Sequence, residues 1–129
     1  MKRIVLGLAL ACFAGSASAA NWQLINGAHG AKYYGDADDT KRDGDVVTLW
    51  IKTVYDVPLE TGTKESKRKI QINCRTMEER WIYSAYYDKN GEVRASGPAS
   101  YEYSKWNLLI PDSIAEYNAK FLCGVTERK

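Results

Sequence analysis

Cysteines, a lone histidine and a run of aspartates are the residues of this 129-residue chain with the most chemistry to offer. Cys74 and Cys123 lack the Cys-x-x-Cys spacing that tunes a thiol for redox exchange, so in an oxidising compartment they read as one structural disulfide. A link closing so long a loop contributes about 4 kcal/mol by the chain-entropy model. His29 is the only imidazole and lies between Gly27 and Gly30, where a turn is expected. A general base needs a nucleophile and an orienting partner within reach. The chain carries no Gly-x-Ser-x-Gly, His-Glu-x-x-His or P-loop pattern to supply them. Asp36, Asp38, Asp39, Asp43 and Asp45 offer hard oxygen ligands. However, Lys41 stands where a calcium loop needs its turn glycine, and Val47 where it needs a bidentate Glu. The segment therefore reads as a solvated loop. These residues point away from an enzyme and away from any metal or cofactor.

Recognition chemistry is better represented. Lys64, Lys67, Arg68 and Lys69 form one basic cluster, with Lys67 and Lys69 on the outer face of an expected strand. Such a cluster suits a sulfated glycan or an acidic protein surface, or it simply keeps a strand soluble. Nine Tyr and four Trp supply large contact areas with polar handles. Tyr101 and Tyr103, just past Gly97-Pro98, are the surface candidates among them. Trp22, Trp50 and Trp106 are expected in the core.

The first nineteen residues read as a secretory signal. Lys2 and Arg3 precede the apolar run Ile4 to Ala11, and Ala17-Ser18-Ala19 gives a small-x-small cleavage pattern. The apolar run is too short to anchor the chain across a bilayer. Cys12 raises the alternative of lipidation, but the leader layout favours simple cleavage after Ala19. Lys2 and Arg3 carry the whole formal charge of +2, so the rest of the chain is neutral. A neutral chain has no field to draw it to nucleic acid or anionic lipid. A single domain over 20–129 is expected, in the periplasm or on the cell surface.

The elements that must position these groups are mostly strands. Trp22 to Ile25 and Ala31 to Tyr34 are short strands, with Asn26-Gly27 a turn signal between them. Val46 to Tyr55 is rich in β-branched and aromatic residues and is apolar on both faces near Trp50. Ser66 to Cys74 alternates, with Arg68, Ile70, Ile72 and Cys74 on the inner face. Trp81 to Tyr87 and Glu92 to Ala95 flank an Asn90-Gly91 hairpin turn. Gly97-Pro98 is expected to break that ladder, and Tyr101 to Trp106 alternates as a further strand. A helix is expected from Ser113, whose spacing to Glu116 fits a capping box. Its expected buried stripe is Ile114, Tyr117 and Phe121, flanked by Leu122, and it is expected to end near Lys120, with Gly124 as a stop. The fold class is α+β: an antiparallel sheet of about six strands with a C-terminal helix.

Taken in order, Trp22, Tyr33-Tyr34, Asp36, Gly44, Val46, Trp50, Ser66, Lys69, Cys74, Tyr83-Ser84, Gly91, Ser96, Trp106, Ile110-Pro111, Ser113 and Cys123 resemble the surface-adhesin protein E family of small exported bacterial proteins. The resemblance implies a six-stranded antiparallel sheet, a C-terminal helix, a Cys74–Cys123 link and a non-enzymatic role. It also implies host extracellular-matrix or serum proteins as partners, and a homodimer as one assembly. A periplasmic structural or small-ligand-binding protein is the alternative.

Overall fold

The computed structural model describes residues 20–127. The signal-peptide reading and Cys12 lie outside the described residues. Eight strands form one antiparallel sheet: β1 (Trp22–Ala28), β2 (Ala31–Asp36), β3 (Lys41–Asp43), β4 (Val46–Tyr55), β5 (Glu65–Asn73), β6 (Glu78–Tyr87), β7 (Val93–Pro98) and β8 (Asn107–Leu108). Two helices, α1 (Tyr101–Ser104) and α2 (Ile114–Thr126), complete the fold. The sheet order is β1-β2-β4-β5-β6-β7. β3 pairs with the first residues of β4, and β8 with the first residues of β6. The expected α+β class and the six-strand path are therefore present, with two short strands added at its flanks.

The long central strands arise where the sequence alternates most cleanly. β4 and β5 pair over nine positions, from Val46↔Asn73 to Val54↔Glu65. One face of this pair carries Val47, Leu49, Ile70 and Ile72, all buried. α2 covers that face with Ala119 and Leu122, and Leu109 closes its side. Gly35 of β2 lies over the same region. A Cβ there would come within 3.3 Å of Ile25 and 3.4 Å of Leu49, so the core leaves no slack for a side chain.

Three local expectations along the strands are corrected. The β1–β2 turn is His29-Gly30, not Asn26-Gly27. Both residues have positive φ, 51° and 76°, as a two-residue hairpin of this hand requires. The ladder does not break at Gly97-Pro98, because Gly97 pairs with Ser84 and Pro98 with Tyr83. β7 is an edge strand, where a proline's missing N–H costs no ladder bond. Tyr101 to Trp106 is not a strand. The chain has to leave β7 and return to β8 on the same flank of β6, and it turns through α1, with the Ser104 N–H donating to the Ser100 carbonyl at 2.9 Å.

α2 starts as expected, with Ser113 Oγ accepting from the Glu116 N–H at 3.1 Å. It runs past Lys120 to Thr126 and includes Gly124. Its last carbonyls find side-chain donors, one from β3 and one from the helix itself. Arg42 donates to the Cys123 carbonyl at 3.0 Å, and the Thr126 hydroxyl donates to the Leu122 carbonyl at 2.6 Å. The buried stripe is Asn118, Ala119 and Leu122 rather than Tyr117 and Phe121, which are exposed. Cys123 sits beside this stripe and is bonded to Cys74, with their Cα atoms 5.7 Å apart. Among the described residues no helix is long and apolar enough to cross a membrane.

Candidate binding face

Alternation along β2, β4, β5 and β6 sends every second side chain away from α2, onto an outer sheet face that no described element covers. Register fixes which residues meet there. Tyr34, Lys52, Lys67 and Ala85 form one transverse row, and Trp50, Lys69 and Tyr83 form the next. Trp22 reaches the same face from the edge strand. Lys52 Nζ lies 5.0 Å from the centroids of both Trp22 and Tyr34, and Lys67 Nζ lies 4.8 Å from Tyr87 and 5.9 Å from Trp22. Each such contact is worth roughly 0.5–1 kcal/mol at an exposed site. Trp50 and Tyr83 meet edge to face with centroids 6.2 Å apart.

This arrangement frames an open groove of about 620 Å³. Aromatic rings and Lys67 form its floor, and Asp36, Asp38 and Asp39 stand at its rim. Asp36 is committed to structure, since Oδ1 accepts from the main-chain N–H groups of Asn21 and Asp38, each at 3.1 Å. Further along the face, Arg80 donates to Gln71 at 2.7 Å and Gln71 to Thr48 at 3.1 Å. The Arg80 guanidinium also lies 4.8 Å from the Trp106 ring. A face of this kind has contact area, with lysines among its rings and aspartates along its groove.

The basic cluster is split. Lys67 and Lys69 lie on the outer face, while Arg68 points to the opposite one, over the Trp81 ring at 3.6 Å. Lys64 is spent on the β4–β5 loop, where its ammonium donates to the carbonyls of Tyr55 and Asp56. Tyr101 is 76% exposed, and its ring takes the Lys105 ammonium at 3.8 Å. Tyr103 stacks on Trp81, with centroids 4.2 Å apart and planes within 9°. Neither tyrosine joins the outer groove. Trp22, Trp50 and Trp106 are half-buried on the outer side rather than in the core. His29 sits at its hairpin tip, away from both faces.

The family description "Surface-adhesin protein E" matches residues 22–124. The chain belongs to the surface-adhesin protein E family. Solved structures agree at the level of fold. The crystal structure of protein E from non-typeable Haemophilus influenzae superimposes with a TM-score of 0.58 at 15% identity, over 86% of this chain and 82% of that one. A second crystal form of Haemophilus influenzae protein E gives 0.58 at 13% identity, over 86% of this chain and all of that one. A search of curated protein sequences finds no match. The expected family, the antiparallel sheet with its terminal helix and the Cys74–Cys123 bond are thus all present.

Proposed function

We propose that this adhesin-E-family chain is an exported, non-enzymatic binding protein that engages host extracellular-matrix or serum proteins through its outer sheet face. The supporting observation is that face itself: Trp22, Trp50, Tyr83 and Tyr87 interleaved with Lys52 and Lys67, left uncovered by the rest of the fold. Trp and Tyr are among the side chains that dominate the binding energy of protein interfaces. The lysines would add steering toward an acidic partner surface and would make binding weaken with salt.

The test has two arms. Protease treatment of intact cells, beside an osmotic-shock fraction, locates the protein. Cleavage on intact cells is expected, and protection with release by shock would overturn host contact. Biolayer interferometry against a panel of matrix and serum proteins then compares the native chain with a Trp22→Ala, Lys67→Ala double variant. We expect a loss of more than about tenfold, the scale of an interface hot spot. Equal binding by a variant of unchanged melting temperature would remove the outer face from the reading.

A further inference from the structure

The opposite face of the sheet is only half covered. α2 lies over Val47, Leu49, Ile70 and Ile72, and beyond its first turn the inner face continues as a band of polar side chains. Tyr33, Thr53, Ser66 and Tyr86 stand in one transverse row, and Arg68 and Ser84 in the next. Where this band meets the helix there is a cavity of about 370 Å³. Its walls are Ile51, Ile70, Ile114 and Ala115, and its polar end holds Tyr33, Thr53 and Arg68. Thr53 is only 6% exposed. The volume falls near the low end of the roughly 300–1,000 Å³ of small-molecule sites, and an apolar wall with a few convergent polar groups is their usual composition.

Arg68 is held in place by neutral groups. The indole of Trp81 lies 3.6 Å under its guanidinium. Its Nε donates to Ser84 Oγ at 3.3 Å and its Nη2 to Tyr86 Oη at 3.5 Å. Tyr103 stacks on Trp81 at 4.2 Å. Two groups so near one ring centre must lie on opposite faces of it, so Tyr103 backs the indole that backs the arginine. Among the described residues three ion pairs form, and Arg68 belongs to none of them. A guanidinium fixed in this way, stacked and half-desolvated with no described carboxylate at ion-pair distance, is preorganised for a planar anion.

We propose that this cavity binds a small apolar monocarboxylate, with the Arg68 guanidinium holding the carboxylate and the Ile51, Ile70 and Ile114 walls taking the hydrocarbon. Glu79 also lines the cavity. Arg68 pairs with Ser84 and Glu79 with Ile72, so their backbones stand about 13 Å apart along the strands, while the Arg68 charge still pulls the Glu79 pKa down. Burial pushes the Glu79 carboxyl above its ordinary range, toward the neutral form. The Arg68 guanidinium stays charged at every working pH and belongs to none of the three ion pairs, which favours an anion over a cation. The site is independent of the outer face and of any protein partner.

The test uses octanoate as the probe and octanol as its analogue without the carboxylate. Isothermal titration of the intact mature protein is expected to give saturable, sub-millimolar octanoate binding. Octanol is expected to bind at least about tenfold more weakly, the scale of one charge-assisted interaction. Arg68→Met keeps the stem packed on Trp81 and removes the charge, and it is expected to lower octanoate affinity by at least about tenfold. Trp22→Ala on the outer face is expected to leave it unchanged. Methyl resonances of Thr53, Ile51, Ile70 and Ala115 in the unmodified protein give a readout that needs no variant, and they should shift as octanoate is added. Failure to saturate, equal affinity for octanol, equal affinity in a folded Arg68→Met, or shifts confined to other methyls would each overturn the proposal.

Discussion

Glu79 carries a half-buried carboxyl whose charge state bears on stability. Burial raises its carboxyl pKa, against the opposing pull of the Trp81 indole N–H, which donates at 3.4 Å, and of Arg68. A carboxyl whose folded pKa lies above its unfolded one binds more protons folded than unfolded across the interval between them, so stability falls as pH rises through that interval. The cost is absent well below the ordinary carboxyl range and constant above the raised value. Glu79→Gln keeps an oxygen for Trp81 and removes the ionisation. It should raise the melting temperature at neutral pH, with the gain vanishing at acid pH, as thermal unfolding at several pH values would reveal. A gain independent of pH would mean that burial of the charge is not the cause. At this scale the sequence was a partial guide. The alternation of β5 placed Lys67 and Lys69 together and Arg68 opposite them, yet nothing in it said that Trp22, forty-five positions earlier, would meet Lys67.

Elements were legible where periodicity was strong and partners were local. β4 spans Val46–Tyr55 as expected, the Asn90-Gly91 hairpin turns where its φ > 0 residue lies, and Ser113 caps α2. The misses share a cause: a distant segment decides the outcome. Gly124 looks like a helix stop in isolation, but Arg42 from β3 takes up a terminal carbonyl and lets α2 continue. Tyr101 and Tyr103 alternate like a strand, but Trp81 offers Tyr103 a stacking partner and β7 already occupies the adjoining flank of β6. Tyr117 and Phe121 fit a helical stripe, but the Cys74 link and Leu122 turn the helix so that they face outward. The Gly124 correction carries its own expectation. A Cβ at this position meets nothing within 4 Å, and the residue is helical, in the last turn of α2. Gly124→Ala should therefore stabilise the protein, by at most about 1 kcal/mol, read as a higher urea midpoint at unchanged slope. Were Gly124 a true stop, the same change would destabilise.

For the whole molecule, the sheet has two faces with different tasks. One is partly sealed by α2 and carries the compact apolar core; the other presents aromatics and lysines to solvent. A core of so few fully buried side chains makes the covalent link important. The bond joins residues 49 apart in sequence, so a Cys74→Ser, Cys123→Ser double variant should lose about 4 kcal/mol. Equilibrium unfolding in urea measures this, and a loss below about 1 kcal/mol would mean that the helix holds its place by packing alone.

The position of that bond has another consequence. α1 lies within the span that Cys74 and Cys123 enclose, and none of its residues is buried. If a host protease clips the chain at this site, the two pieces remain one molecule, with α2 still fastened beside β5. Such a nick shows as two bands only after a reducing agent is added, and a clipped molecule on a cell surface would keep its outer face in place.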